Sequence, residues 1–366
     1  MERVLVNFFY CHPVGHAIEA LYYANGHHAA NPDREIAVAL NAATAAELAD
    51  FCPFVSAKYV VDHPLLTSTN DSASRVAHLP REWDWVIDES RRYQDFQLEM
   101  FPGLKDYYAA TDQHLKPSKG RTVVTSPKPG YLRRQHLRLD LPRAKQDRRT
   151  ITIMPGGSSE PALYPSADSW LLIMDALADA YPDAQLVLVG KLAKTNQTST
   201  SITEADLKRL LDHRSKPWNC FDRGLIEQLS VIKASDVFLS PHTGFGMAVL
   251  AAGTPWLTLS GGRWFEYFFN GVPFRSIIPD TDRFPSYTTF NELPVIDSED
   301  GPRTPSMTKA RIVADLDRII TAAGELRDGA VSYEQALSEY FPALLNAHNG
   351  DRTRLWSIDN VHLDYL

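Results

Sequence analysis

A polar, glycine-rich turn joins an apolar strand to a helix of small residues in the C-terminal half of the chain. It reads Ser240-Pro-His-Thr-Gly-Phe-Gly-Met-Ala-Val-Leu-Ala-Ala-Gly-Thr-Pro255. Backbone N–H groups and the positive dipole end at a helix start bind anions such as a diphosphate. A histidine and a threonine add side-chain donors, and two glycines let an anion approach the backbone. The residues predicted to bind here are His242, Thr243, Gly244, Phe245 and Gly246.

A second loop of the same type, Pro155-Gly-Gly-Ser-Ser159, follows the first predicted strand of the same half. Ligands bind at the carboxyl edge of parallel sheets, so we expect both loops to face one ligand. Each loop taken alone is also compatible with an ordinary turn, because glycine and serine are common turn formers. The candidate residues of this loop are Gly156, Gly157, Ser158 and Ser159.

Apolar runs and helical periodicity alternate along the first half of the chain. They predict strands at residues 4–9, 35–40 and 58–61, and helices at 17–24 (with Gly26 as C-cap) and 45–52. Residues 83–100 mix aromatic and charged side chains, which leaves open one long helix or two short pieces. Val123 and Val124 resemble a last strand, so a doubly wound parallel sheet is predicted here.

The alternation restarts after a proline-rich stretch that contains a basic run, residues 133–149, interpreted as a solvated linker. Strands are predicted at 151–154, 185–189, 237–239 and 256–259, and helices at 167–180, 204–211, 225–234, 247–252, 309–323 and 333–345. We therefore predict an α/β chain with an acceptor-side domain (1–145), a nucleotide-sugar domain (150–330) and a C-terminal helix and tail (331–366) packing toward the first domain.

Composition narrows the classes of function. The chain has 366 residues, 44% of them hydrophobic and 22% charged, with a formal net charge of -8. That charge disfavours nucleic acid and anionic membranes as partners. No apolar run approaches the roughly 20 residues of a membrane span, and three cysteines are scattered (Cys11, Cys52 and Cys220), so a cytoplasmic protein with free thiols is expected. The dinucleotide and P-loop fingerprints are absent, which disfavours an NAD enzyme and an ATPase.

Residues 151–261 resemble the nucleotide-binding domain of the lipopolysaccharide heptosyltransferases, glycosyltransferase family 9. The shared pattern is Met-Pro-Gly-Gly-Ser-Ser before Tyr164, Pro165 and Trp170, then Leu-Val-Leu-Val-Gly190, Ser-Asp-Val-Phe-Leu, His-Thr-Gly and Ala-Gly-Thr-Pro255. The segment around the histidine is also similar to the donor site of protein O-GlcNAc transferases. The resemblance implies a GT-B fold, two Rossmann-like domains facing across a cleft.

The resemblance also implies an inverting, metal-independent glycosyltransferase with no cofactor. Its donor is then a nucleotide-diphosphate sugar, such as an ADP-heptose-like sugar, and its acceptor a hydroxyl of a small molecule, natural product or glycolipid. Further donor-binding candidates are Gly15, Lys191 and Phe221. Alternatives are a nucleotide-sugar epimerase of the same architecture and a non-catalytic sugar-nucleotide binder or partner subunit. The base, sugar, acceptor and oligomeric state are left open.

The catalytic base departs from the family pattern. Heptosyltransferases carry a Gly-Asp pair in the first loop, and this chain has Gly15-His16, which resembles the Gly-His of natural-product glycosyltransferases. A neutral imidazole can deprotonate a hydroxyl near pH 7, so His16 is the predicted base. His12 and Glu19 are rivals, and a purely structural His16, bonded to a loop carbonyl, is the other interpretation.

A lysine of the family pattern is also missing, because Ser159-Glu-Pro-Ala-Leu163 contains none. Lys191 or Arg263 is the candidate replacement for its positive charge, although either is compatible with an exposed surface residue. The pair His27-His28 lacks the spacing of a metal site, and no essential metal is predicted.

Overall fold

The chain folds into two compact α/β units. The computed structural model describes residues 1–10, 14–123, 136–193, 199–261, 269–285, 294–355 and 358–366. The first unit runs from Met1 to Asp140 and the second from Leu141 to Leu366. His12, Val124, Arg263 and the start of the basic run lie outside the described residues.

The first unit contains a five-stranded parallel sheet. Its strands are β1 (Arg3–Phe8), β2 (Glu35–Asn41), β3 (Val55–Val61), β4 (Glu82–Asp88) and β5 (Lys116–Val123). Its helices are α1 (Val14–Ala30), α2 (Ser72–Arg75), α3 (Asp95–Met100) and α4 (Pro102–His114). The order β3-β2-β1-β4-β5 reverses direction between β1 and β4, and ligands bind beside such a switch point in doubly wound sheets.

The apolar runs predicted β1, β2 and β3 to within a few residues. Strands β1 and β2 are buried almost throughout, whereas β3 is mostly half-buried with two exposed residues. The helix that follows β1 was predicted too short. It continues to Ala30, and Gly26 is buried inside it rather than capping it. Packing of α1 on β1 and β2 outweighs the ~1 kcal/mol penalty of an interior glycine. Residues 46–51 form a 3₁₀-helix where an α-helix was expected.

Residues 83–100 form neither the single long helix nor only the two short pieces left open by the sequence. They begin as β4, which lies between β1 and β5, continue through a 3₁₀-turn (Ser90–Tyr93) and end in the short α3. Three charged residues, Glu82, Asp84 and Asp88, interrupt the apolar pattern of this strand. Asp84 is accommodated because it accepts a hydrogen bond from the backbone N–H of Arg3 (2.8 Å). Trp83, Val86 and Ile87 are buried in the sheet as strand residues.

The second unit contains a six-stranded parallel sheet of order β11-β10-β9-β6-β7-β8. Its strands are β6 (Thr150–Ile153), β7 (Gln185–Leu188), β8 (Trp218–Asn219), β9 (Val237–Pro241), β10 (Trp256–Leu259) and β11 (Phe274–Ile277). Its helices are α5 (Ala167–Ala180), α6 (Glu204–Leu211), α7 (Leu225–Ala234), α8 (Gly244–Ala252), α9 (Lys309–Arg327) and α10 (Tyr333–Ala347).

Sequence periodicity located the elements of the second unit closely. Three helices, α5, α6 and α7, have the predicted bounds, and two of them begin at side-chain caps, Ser166 and Thr203. The helix predicted at 247–252 begins three residues earlier, at Gly244. The edge strands β8 and β11 were not predicted, because two and four residues give too little periodicity to recognise.

The segment between the two units is not wholly solvated as expected. Within residues 136–141, Leu137, Leu139 and Leu141 are buried while the intervening side chains are exposed. The tail after α10 continues as short 3₁₀-turns, and its predicted packing toward the first unit stays a prediction. Among the described residues, no helix combines the length and apolarity that crossing a membrane requires.

Candidate functional site

The turn after β9 leads directly into a helix. Thr243 is the N-cap residue of α8 in extended conformation, and its carbonyl accepts the N–H of Gly246 (3.1 Å). The preceding first-turn amides, those of Gly244 and Phe245, have no partner inside a helix and remain available to an anion. The hydroxyl of Thr243 is buried and makes no hydrogen bond with any residue that the structure describes. A helix start and an unsatisfied donor thus coincide.

The structure brings the two glycine loops together. A Cβ added at Gly157 would lie 3.0 Å from Cγ2 of Thr243 and 2.7 Å from Oη of Tyr164. Glycine at this position is therefore favoured by the close approach of both Tyr164 and the Thr243 turn. Tyr164 also holds the loop of residues 155–159, because its Oη accepts the N–H of Ser159 (3.2 Å), and burial raises the pKa of this tyrosine.

A third segment contacts the loop of residues 155–159 and was not anticipated from the sequence. The N–H of Ser201 donates to the carbonyl of Gly157 (2.7 Å), and a Cβ at Gly156 would lie 3.2 Å from the Ser201 Oγ. That hydroxyl is the second buried donor here without a hydrogen bond within the described part of the chain. No sequence signal identified Ser201, because it follows a stretch without periodicity.

A small pocket opens beside the loops, with a cavity volume of about 40 Å³. That volume exceeds the ~10–15 Å³ that one water needs, so a compact polar group fits. Thr304 and Ser306, fully buried residues just before α9, were not anticipated as part of it. The lining residues are Ser159, Leu163, Tyr164, His242, Gly261, Thr304, Ser306 and Met307, none of which is Lys or Arg.

His242 lies against a buried tryptophan. Its ring stacks near Trp256 (centroids 5.8 Å apart, planes at 17°), and the indole Nε1 donates to Ser240 Oγ (3.0 Å). The same indole fills the space at Gly246, where a Cβ would come within 2.3 Å of a ring carbon. The second glycine of the turn is thus needed for the indole and not for the anion alone.

Lys191 lies three residues after β7, and Phe221 lies two residues after the neighbouring strand β8. Phe221 packs so closely on Gly190 that a Cβ there would come within 2.6 Å of its ring, and Gly190 has φ of 151°. The backbone of Lys191 bonds Thr200 through its N–H (2.9 Å) and carbonyl (2.7 Å). Its ammonium makes no hydrogen bond or ion pair with any described residue, so the charge is available to a ligand.

In the first unit, Gly15 and His16 are the second and third residues of α1 rather than part of a longer loop. Gly15 is buried and His16 is half-buried, with its ring 4.9 Å from that of Tyr10. Glu19, a rival base, lies one turn further along α1 and is 3.6 Å from Nη1 of Arg91.

A buried acid that the sequence interpretation missed completes this edge. Glu89 directly follows β4, is fully buried, and accepts the N–H of Tyr10 (3.0 Å) and Nη1 of Arg91 (3.2 Å). Burial raises its pKa to about 7, and the Arg91 charge opposes this. Its position after the unrecognised strand β4 concealed it. Among the described residues no group of three His, Cys, Asp or Glu side chains is placed to hold a metal ion.

Comparison with known proteins identifies structures with a similar fold. No protein-family model and no curated protein sequence matches the chain. Solved structures do match: glycosyl transferase family 9 from Veillonella parvula DSM 2008 has a TM-score of 0.56 at 14% identity, over 90% of this chain and 97% of that one. E. coli ADP-heptose LPS heptosyltransferase II gives 0.53 at 13% identity, over 88% and 99%.

The chain therefore has the fold of the family 9 glycosyltransferases. This confirms the predicted GT-B fold class as two parallel α/β units. A structure described as a UDP-N-acetylglucosamine 2-epimerase, from Listeria monocytogenes, gives a TM-score of only 0.41 at 10% identity, which is too low to favour that reaction.

Proposed function

We propose that this chain is a glycosyltransferase that moves a sugar from a nucleotide-diphosphate donor to a hydroxyl of an acceptor. The observation that carries the proposal is the pair of buried, unpartnered hydroxyls, Thr243 and Ser201, beside two glycine loops in contact. A buried donor left unsatisfied costs about 1–3 kcal/mol. Diphosphate oxygens would satisfy both hydroxyls, whereas an ordinary pair of turns has no need of them.

The donor side uses partial charges more than full ones. Amides at the start of α8 and the helix dipole receive the diphosphate, and the hydroxyls of Ser158 and Ser159 lie on the facing loop. Lys191 supplies the cation that replaces the lysine absent from residues 159–163. Since these groups already stabilise negative charge, a metal-independent reaction is proposed.

The acceptor side is proposed to work through His16. The imidazole takes the proton of the acceptor hydroxyl as its oxygen bonds the anomeric carbon. The bond from that carbon to the diphosphate breaks, and the nucleoside diphosphate leaves with the electron pair. Attack opposite the leaving group inverts the anomeric configuration. Similarity to a heptosyltransferase fold supports an ADP-linked heptose as the first donor to test, in the cytoplasm.

The test is a thermal-shift panel of ADP, UDP, GDP and dTDP in a chelating buffer. A ligand at 100 times its dissociation constant stabilises by about 2.7 kcal/mol, which such a panel detects. We expect one nucleotide to raise the melting temperature selectively. No shift with any of the four contradicts the proposal.

Thr243→Val tests whether the Thr243 hydroxyl binds the nucleotide, because this variant removes the hydroxyl and keeps the shape of the side chain. A hydrogen bond to a charged group is worth about 1.5–3 kcal/mol, so we expect roughly 10- to 100-fold weaker nucleotide binding. The free protein should lose no stability, since this hydroxyl has no partner to lose. Thr258→Val is the matched control, because its hydroxyl in β10 is also buried and unpartnered. Equal affinity losses in both variants would contradict the assignment.

Incubation with the selected nucleotide sugar separates the reaction classes. A transferase releases nucleoside diphosphate only when an acceptor hydroxyl is present, whereas an epimerase converts its donor without one. His16→Gln should abolish transfer and leave nucleotide binding intact. Unchanged transfer in this variant would contradict the role proposed for His16.

A further inference from the structure

A carboxyl group without a role in the proposed reaction is buried at the switch point of the first sheet. Glu89 directly follows β4, the strand next to β1, and has no exposed surface. It accepts two hydrogen bonds, from the Tyr10 N–H (3.0 Å) and from Arg91 Nη1 (3.2 Å). Tyr10 is the second residue after β1, so Glu89 fixes the chain where it leaves this strand.

Arg91 extends the contact to two more elements. Its guanidinium lies over the Tyr10 ring (4.5 Å to the centroid), and its Nη1 is 3.6 Å from Glu19 on α1. The Tyr10 ring in turn is 4.9 Å from the His16 ring and 5.2 Å from that of Phe101. Glu89, Arg91, Tyr10 and His16 therefore form a continuous set of contacts.

The charges around Glu89 come from every element packed against it. Arg91 is the cation nearest to Glu89, and Glu19 on α1 is the neighbouring carboxylate. The hydroxyls of Tyr10 and Tyr108 also feel the Glu89 charge, while Asp88 beside it is paired with Arg92 and Arg121. Arg91 is shared between the two carboxylates, 3.2 Å and 3.6 Å away. The two hydrogen bonds go to different oxygens, Oε2 for the Tyr10 N–H and Oε1 for Arg91. An amide in place of Glu89 could accept only one of them, so the carboxylate supplies both the second acceptor and the negative charge.

We propose that Glu89 is a positioning residue for His16: through Arg91 and Tyr10 it holds the imidazole in place and balances the positive charge that proton uptake creates. The inference rests on the proposed function only for the importance of His16. The arrangement itself is testable without any substrate.

The experiment is an NMR titration of ¹⁵N-histidine-labelled full-length protein, with the His16 signals assigned by their loss in His16→Gln. Glu89→Gln should lower the midpoint of the His16 titration, because Arg91 then faces His16 with less compensating charge. Glu82→Gln, an exposed residue at the other end of β4, is the matched control and should leave the midpoint unchanged. A His16 midpoint that does not fall in Glu89→Gln, or that falls equally in the control, overturns the proposal.

A second variant tests the route and covers the case in which Glu89→Gln does not fold. Tyr10→Leu keeps the backbone N–H that Glu89 accepts and removes the ring between Arg91 and His16. The His16 midpoint should change in this variant also, and the changes of the double variant should be non-additive. An unchanged midpoint in Tyr10→Leu, or strictly additive changes, overturns the route through Tyr10.

The outcome is separable from that of the proposed function. Nucleotide binding is proposed for the second unit and is measured by the thermal-shift panel. A failed panel with a shifted His16 titration would refute the transferase and keep the positioning role. A successful panel with an unmoved His16 would do the reverse.

Discussion

Gly246→Ala tests whether the second glycine of the α8 turn is required by packing. The new Cβ would lie 2.3, 2.4 and 2.6 Å from three ring atoms of Trp256, all closer than real Cβ contacts. The indole is 1% exposed and bonded to Ser240, so it has little freedom to move away. Its displacement by about 1 Å would also shift the neighbouring ring of His242.

The magnitude follows from opposing contributions. Overpacking a core by one methyl costs about 1–3 kcal/mol, and stretching the bond from Trp256 to Ser240 adds about 1 kcal/mol. Alanine at a helical position returns up to about 1 kcal/mol. We expect a net loss of about 1–3 kcal/mol, which lowers the melting temperature by roughly 2–4 °C per kcal/mol for a unit of this size.

Urea unfolding followed by circular dichroism measures this loss. Gly224→Ala is the matched control, because a Cβ at this residue, the N-cap of α7, meets nothing within 4 Å. Gly246→Ala should also weaken binding of the nucleotide selected by the thermal-shift panel, since His242 and Thr243 lie at the same turn. If the two alanine variants unfold at the same urea concentration, the packing argument for Gly246 is refuted.

Three further predictions follow from buried ionisable groups. Arg311→Ala should lose about 3–5 kcal/mol in urea unfolding, because it leaves Asp315 and the carbonyls of Ser260 and Ile277 without a buried guanidinium. Arg311→Met combined with Asp315→Leu should recover much of this loss. The pKa of Glu89 is raised to about 7 from 4.5, so the folded state binds its proton more tightly; stability should fall as pH rises from about 4.5 to about 7, and this slope should be smaller in Glu89→Gln. Burial raises the pKa of the Cys52 thiol to about 12, so iodoacetamide should label Cys52 only after unfolding, as mass spectrometry of native and urea-treated protein would show.

Local periodicity in the sequence predicted much of the fold. The buried runs that became β1, β2, β6 and β10, and the helices α5 to α7, are visible in the sequence because each repeats its apolar positions over enough residues. The strand β4 was missed because Asp84 interrupts its apolar pattern and is satisfied by a backbone N–H 81 residues away. Nothing in the neighbouring sequence shows that partner.

Only part of the candidate site could likewise be recognised from the sequence. The glycine loops were recognisable because a strand, a polar turn and a small-residue helix follow one another directly. Ser201, Thr304 and Ser306 were not, since they belong to segments without periodicity that only the folded chain brings beside the loops. Glu89 was hidden for a third reason: its burial and raised pKa depend on Tyr10, Arg91 and Glu19.

The sequence by itself determined the two alternating α/β units and the position of most elements in the second unit. It also determined the two glycine loops, whose residue types suit the binding of an anion. These are local properties, set by side-chain period, helix caps and the conformational freedom of glycine. Only the tertiary structure decided which hydroxyls are left unsatisfied, which glycines are required by a facing side chain and which carboxyl group is buried. Those properties depend on atoms far apart along the chain, because burial and close contact are created by packing and not by any one segment.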